Sequence, residues 1–303
     1  MVLLRSRIEG SEPGIRFRSL RGTFAMTKTY LGRHVFGIAA IAFGVITLVW
    51  RDFNIWQQTR PLGNVAHREV LLFFAVVIEL FGGVAIQWHK TARAGALALG
   101  ALYLAFALLW VPYIVATPLT YDRWGNFFEQ FSIVSGALIV YASVGRNDSE
   151  RTATLARIGY FGFGVCVISF TLEQLFYLSA TASFVPKWIP PGQMFWAVLT
   201  TIALGLAAIA LLSGRFAFLA SRLLTIMLVG FGLLVWLPAP FADPHQLTNW
   251  AGNAQNLAIT GAAWILTDFL SQNRATAPAS DRARVEKERH EPGTSSPSDV
   301  RVT

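Results

Sequence analysis

Long apolar stretches alternate with short polar ones along most of this chain, and the polar residues otherwise collect at its two ends. The apolar stretches cover about 34–51, 70–88, 94–114, 127–145, 156–177, 193–213, 218–238 and 254–271. Each approaches the roughly 20 residues that a helix needs to cross a hydrocarbon core. The runs are continuous instead of alternating, and far longer than the roughly 10 residues of a barrel strand. The pattern predicts an all-α integral membrane fold with eight transmembrane helices.

The ends read differently. Residues 1–30 are Arg-rich and hold no apolar run long enough for a signal-peptide core, so they form a polar lead, with Met26 a second candidate start beside Met1. Residues 272–303 mix charges with Pro and Ser and predict a disordered tail. Composition agrees with a lipid solvent: 54% of residues are hydrophobic and 14% charged, against roughly 25% charged in soluble domains. The net charge of +8 does not imply a nucleic-acid partner, because the excess flanks the apolar runs. With the N-terminus in the cytoplasm, 20 Lys and Arg fall on the inner side and 5 on the outer, which places both termini inside. Eight of the ten Trp fall on the outer side, as interfacial anchors do. The lone Cys166 excludes an intramolecular disulfide.

The second half repeats the first. At a shift of 126, Trp110 meets Trp236, Pro112 meets Pro238, and Trp124 meets Trp250. At shifts of 124 and 122, Arg33 meets Arg157, Thr47 meets Thr171, Phe73 meets Phe195 and Arg93 meets Arg215. Rare Trp and Pro pairs at one shift point to a tandem duplication. Four spans per unit give both units the same sense in the membrane, a parallel repeat. The expected architecture is two parallel-repeat four-helix bundles, 31–147 and 148–271. Gly82, Gly83, Gly95, Gly100, Gly205 and Gly230 are candidates for close helix approach.

The stretches LGRHVFGIAAIAFGVITL, ELFGGVAIQWHKTARAGALAL and DRWGNFFEQFSIVSGALIV have counterparts in LARIGYFGFGVCVISFTL, ALGLAAIALLSGRFAFLAS and TNWAGNAQNLAITGAAWIL. On these the chain resembles the DoxX-like family of four-helix bacterial membrane proteins, in two copies from about 30 to 270. The resemblance implies the bacterial inner membrane and a membrane subunit or anchor of a redox-related assembly, without catalytic residues of its own. It implies the lipid bilayer and a soluble or membrane redox subunit as partners. The alternative is a small-molecule or quinone-binding transporter with its pocket between the two bundles. No cofactor is expected, quinone being the one candidate.

Ionisable residues inside spans are the first candidates for function, because charge is costly there. Glu79 falls near the middle of the second span, opposite Thr201 in the repeat; Glu173 lies near the outer end of the fifth. Thr47 and Thr171 form a repeated polar pair, and each can also bond its own helix. Trp110, Trp124, Trp236 and Trp250 are candidates for an external aromatic vestibule as well as for a headgroup belt. His67 with Glu69 and Asp243 with His245 match no known metal-site spacing. Asn126 and Glu129 have the spacing of a capping box, which would start the fourth span near Asn126.

Overall fold

The computed structural model describes residues 30–50, 67–144 and 150–275. The polar lead, most of the charged tail and the loops 51–66 and 145–149 lie outside the described residues. Everything regular among the described residues is helical: α1 (Leu31–Trp50), α2 (Arg68–Ala85), α3 (Ala92–Ala116), α4 (Tyr121–Ser143), α5 (Glu150–Phe176), α6 (Leu178–Phe184), α7 (Gln193–Ser213), α8 (Ala217–Phe231), α9 (Ala239–Ala242) and α10 (Leu247–Ala275). A π-helical turn, Gly232–Trp236, links α8 to α9, and Leu237 N–H reaches back to Gly232 O at 2.7 Å. Pro238, which follows it, brings no N–H to a helical ladder.

Five of these stretches are long and apolar enough to cross a membrane: α1, α3, α5, α7 and the run from Ala217 to Ala242. Helices α2, α4 and α10 also lie over predicted spans but are too polar to qualify by composition. The reason is where their polar groups point. On α4, the buried face includes Asn126, Gln130, Ser132 and Ser135. The large exposed side chains are instead apolar, among them Phe73, Phe74 and Phe81 on α2, Leu206 and Ile209 on α7, and Ile226 on α8. Such an exterior suits lipid and would be costly in water.

Helices α1 and α2 run antiparallel, Gly37 lying on Gly83 and Gly44 on Leu80, as do α2 and α3, with Gly82 on Leu99 and Gly95 on Ile86. Gly37 of α1 faces Gly83 of α2, where a Cβ on Gly83 would lie 2.7 Å from Gly37 O. Gly95 of α3 approaches Gly82 of α2 in the same way. Gly205 and Gly230 do not serve this purpose: a Cβ on Gly205 would make ordinary contact with Thr171, and one on Gly230 would meet open space.

The neighbour order closes into a ring. Each of α1, α2, α3 and α4 packs on the next, α4 packs on α5, α5 on α7, α7 on α8, α8 on α10, and α10 returns to α1. Helices α4 and α10 also touch across the middle. The halves therefore interlock: the first helix of each lies against the last helix of the other. At the central crossing a Cβ on Gly136 would lie 2.8 Å from the Cβ of Ala262. On the α1–α10 seam, a Cβ on Gly261 would lie 2.6 Å from Phe36 N. On the α4–α5 seam, a Cβ on Gly159 would lie 2.7 Å from Ser135 O.

Helix α4 begins at Tyr121 after Thr120, six residues before the apolar run. Asn126 is therefore interior, and its Nδ2 donates to Asp122 O at 2.7 Å. The predicted capping box at Asn126 and Glu129 is not formed. The helix start is held by another device. Trp124 Nε1 donates to Pro118 O at 3.0 Å, Trp196 Nε1 to Pro190 O at 2.9 Å, and Trp250 Nε1 to Pro244 O at 3.0 Å. In each case an indole in the first turns closes onto a proline carbonyl six residues earlier. That gives the indole donor a partner and pins the loop to its helix.

Candidate functional site

Polar residues on helix interiors must find partners within the bundle. Gln130 does not. It lies on α4 at 0% exposure, about 14 Å along the helix from Tyr121 at roughly 1.5 Å per residue. Neither its amide nitrogen nor its oxygen has a hydrogen-bond partner, and Asn126 Oδ1 and Glu129 Oε2 are also buried and unpartnered. Each unsatisfied buried group costs about 1–3 kcal/mol.

The neighbouring seam with α5 carries two carboxylates. A Cβ on Gly125 would lie 2.5 Å from a Glu173 carboxylate oxygen, so only glycine admits the carboxylate to that spot. Glu129 and Glu173 are close enough to interact electrostatically, and Asp122 interacts with both. Tyr121 Oη donates to Ser169 Oγ at 3.1 Å, and Asp122 N–H donates to Tyr177 Oη at 3.2 Å. These bonds lock the start of α4 to the end of α5 around the carboxylates. Aromatic rings stack along another side of α4: Trp124 on Phe128 at 6.3 Å, and Phe127 on Phe131 at 5.8 Å.

The other candidates fall elsewhere. Glu79 is buried at 3% exposure between α2 and α3, where Tyr103 Oη donates to it at 3.4 Å. Its counterpart Thr201 donates to Gln174 on α5 at 3.0 Å. Thr47 and Thr171 spend their hydroxyls on Phe43 O and Val167 O of their own helices, at 3.0 and 2.8 Å. The four Trp of the expected vestibule take separate partners. Trp110 packs on Tyr113 and Trp236 on Phe184, while Trp124 and Trp250 close their own loops. His245 N–H bonds Asp243 Oδ1 within a turn, and His67 precedes α2 with φ 60°.

Sequence reasoning found Glu173 but assigned Asn126 and Glu129 to a cap and overlooked Gln130. The available signal was their spacing: Asp122, Asn126, Glu129 and Gln130 recur at three and four residues, a polar stripe on one side of a helix. No family model, no curated protein and no solved structure matches the chain at a significant level.

Proposed function

We propose that this is an eight-span membrane protein, made of two like-oriented four-helix units, that binds a small hydrogen-bonding solute at the polar face of α4. The observation that carries the reading is Gln130, an amide with both ends unpartnered at 0% exposure, beside unpartnered atoms of Asn126 and Glu129. A bound solute supplies the missing partners. A quinone is the class we test: it is lipid-soluble, and its carbonyls can accept from the Gln130 amide.

Three features support the duplication. The Trp–Pro closures at 124 and 250 fall at the same shift of 126. The central contact pairs Gly136 with Ala262, positions related by that shift, as expected for a contact lying on an approximate two-fold axis. The seam contacts Phe36–Gly261 and Gly159–Ser135 involve matching segments of the two units. The charge bias supports cytoplasmic termini. The subunit-or-anchor role is carried by the DoxX-like resemblance, and co-purification of a soluble partner from mild detergent would favour it.

Binding is tested in nanodiscs by quenching of tryptophan fluorescence with the short-chain quinone ubiquinone-1. Saturable quenching is expected, weakened about tenfold in Q130L, the effect of losing roughly 1.4 kcal/mol, and unchanged in T47V. Equal affinity in Q130L and the parent protein would overturn the site.

A further inference from the structure

A cleft lies at the opposite end of the bundle from the start of α4, where α1 begins and α4 and α10 finish. Its walls include Tyr30 just before α1, Arg33 of α1, His89 of the α2–α3 turn, Val140 of α4, and Asp268 and Phe269 of α10. Its enclosed space is about 30 Å³, and about 400 Å³ with the open solvent at its mouth included. Arg33 is the unusual wall. It is 8% exposed, one Nη donates to Gln87 O at 3.2 Å, and Nε is buried without a partner. Asp268 spends Oδ2 on Gly32 N–H at 3.1 Å. Although Arg33 and Asp268 line one cleft, no ion pair joins them among the described residues.

A guanidinium with no ion-pair partner among the described residues, 5.7 Å over the Tyr30 ring, and a carboxylate in the same cleft suit a ligand with an anion and a cation a few bonds apart. Arg33 suits a phosphate, through a donor fork that retains a free N–H. Asp268 suits an ammonium group with N–H donors to give. A quaternary ammonium offers none, and a purely anionic headgroup meets repulsion from Asp268. The cleft sits in the first turn of α1, at the depth of headgroups, with Ile139, Ile265 and Phe269 continuing its apolar wall. We infer that it holds the phosphoethanolamine headgroup of a membrane lipid, with the phosphate on Arg33 and the primary ammonium on Asp268. The site is separate from the polar face at the start of α4 and does not depend on the function proposed for it.

The test uses delipidated full-length protein in detergent and short-chain lipids, with binding read as the rise in melting temperature across a concentration series. Phosphatidylethanolamine should bind about tenfold tighter than phosphatidylcholine, and phosphatidylglycerol no tighter than phosphatidylcholine. In the unsubstituted protein, affinity should fall stepwise as the headgroup nitrogen is methylated, a result that needs no variant to fold. D268N should remove the preference for ethanolamine over choline, and R33Q should weaken all phospholipids. Equal affinity across the methylation series, or a preference retained in D268N, overturns the inference. So does free phosphoethanolamine binding as tightly as the lipid, which would mark a site for a soluble zwitterion.

Discussion

Two seams join the earlier helices to the later ones, α4 on α5 and α10 on α1, and they differ in where they are polar. The α4–α5 seam is polar at the end where α4 begins, with Asp122, Glu129, Glu173, Tyr121 and Tyr177. The α10–α1 seam is polar at the other end, with the Gly32–Asp268 bond beside Arg33. The positions that the proposed repeat sets against Glu173 and Gly125 are Val49 and Ala251, which carry no carboxylate. Helix geometry is shared by the two seams, and chemistry is not. The amide stripes differ as well. On α10, Asn253 bonds Trp236 O and Asn256 Nδ2 donates to Leu228 O at 3.2 Å, so these amides hold the π-helical stretch in place. On α4 the corresponding Gln130 holds nothing within the fold. The α10 amides fasten helices, whereas Gln130 has no partner.

This contrast can be broken by substitution. The largest effect is expected where backbone meets backbone: G261A forces a Cβ against Phe36 N and Cα, which cannot swing aside, and should cost about 1–3 kcal/mol in thermal denaturation. G125A meets only the end of the Glu173 side chain and should cost clearly less, so equal losses would show that the carboxylate is as rigidly held as backbone. Next come the amides, with opposite signs. In ligand-free protein Q130L should leave stability unchanged or raise it, because it removes a buried group with no partner, whereas N256L should lower it by about 1 kcal/mol. Two losses of equal size would mean that Gln130 is structural. The smallest effect is expected from W124F and W250F, each losing one indole hydrogen bond worth about 0.5–1.5 kcal/mol, and the two values should agree if the closures are equivalent. Orientation is checked separately: on intact cells an impermeant maleimide should label T120C and not R215C.

Much of the helix plan was legible, for identifiable reasons. Helix α7 matches its predicted range, and Gly192 and Gly214, both at positive φ, bracket it. Helices α4 and α10 begin earlier than their apolar runs because hydropathy marks the lipid boundary and not the end of hydrogen bonding. The polar turns YDRWGN and LTNWAGN are helical and are closed by Trp onto Pro. That closure was readable in advance as Pro followed by Trp six residues later, three times over. The seams were not readable, since periodicity names a buried face without naming what covers it. Glu79 drew attention as an isolated acid, and its partner Tyr103 lies on another helix. Gln130 was passed over because an amide carries no charge to stand out against lipid, and only its lack of partners in the packed bundle gives it weight.

The contact of Gly136 with Ala262 has a mechanical meaning. It brings α4 and α10 to their closest small-residue approach near the centre of the ring, between the two polar seam ends. A side chain at 136 would meet the Cβ and Cα of Ala262 at 2.8 and 3.0 Å, so any residue larger than glycine there wedges α4 away from α10 at the crossing on which both seams converge.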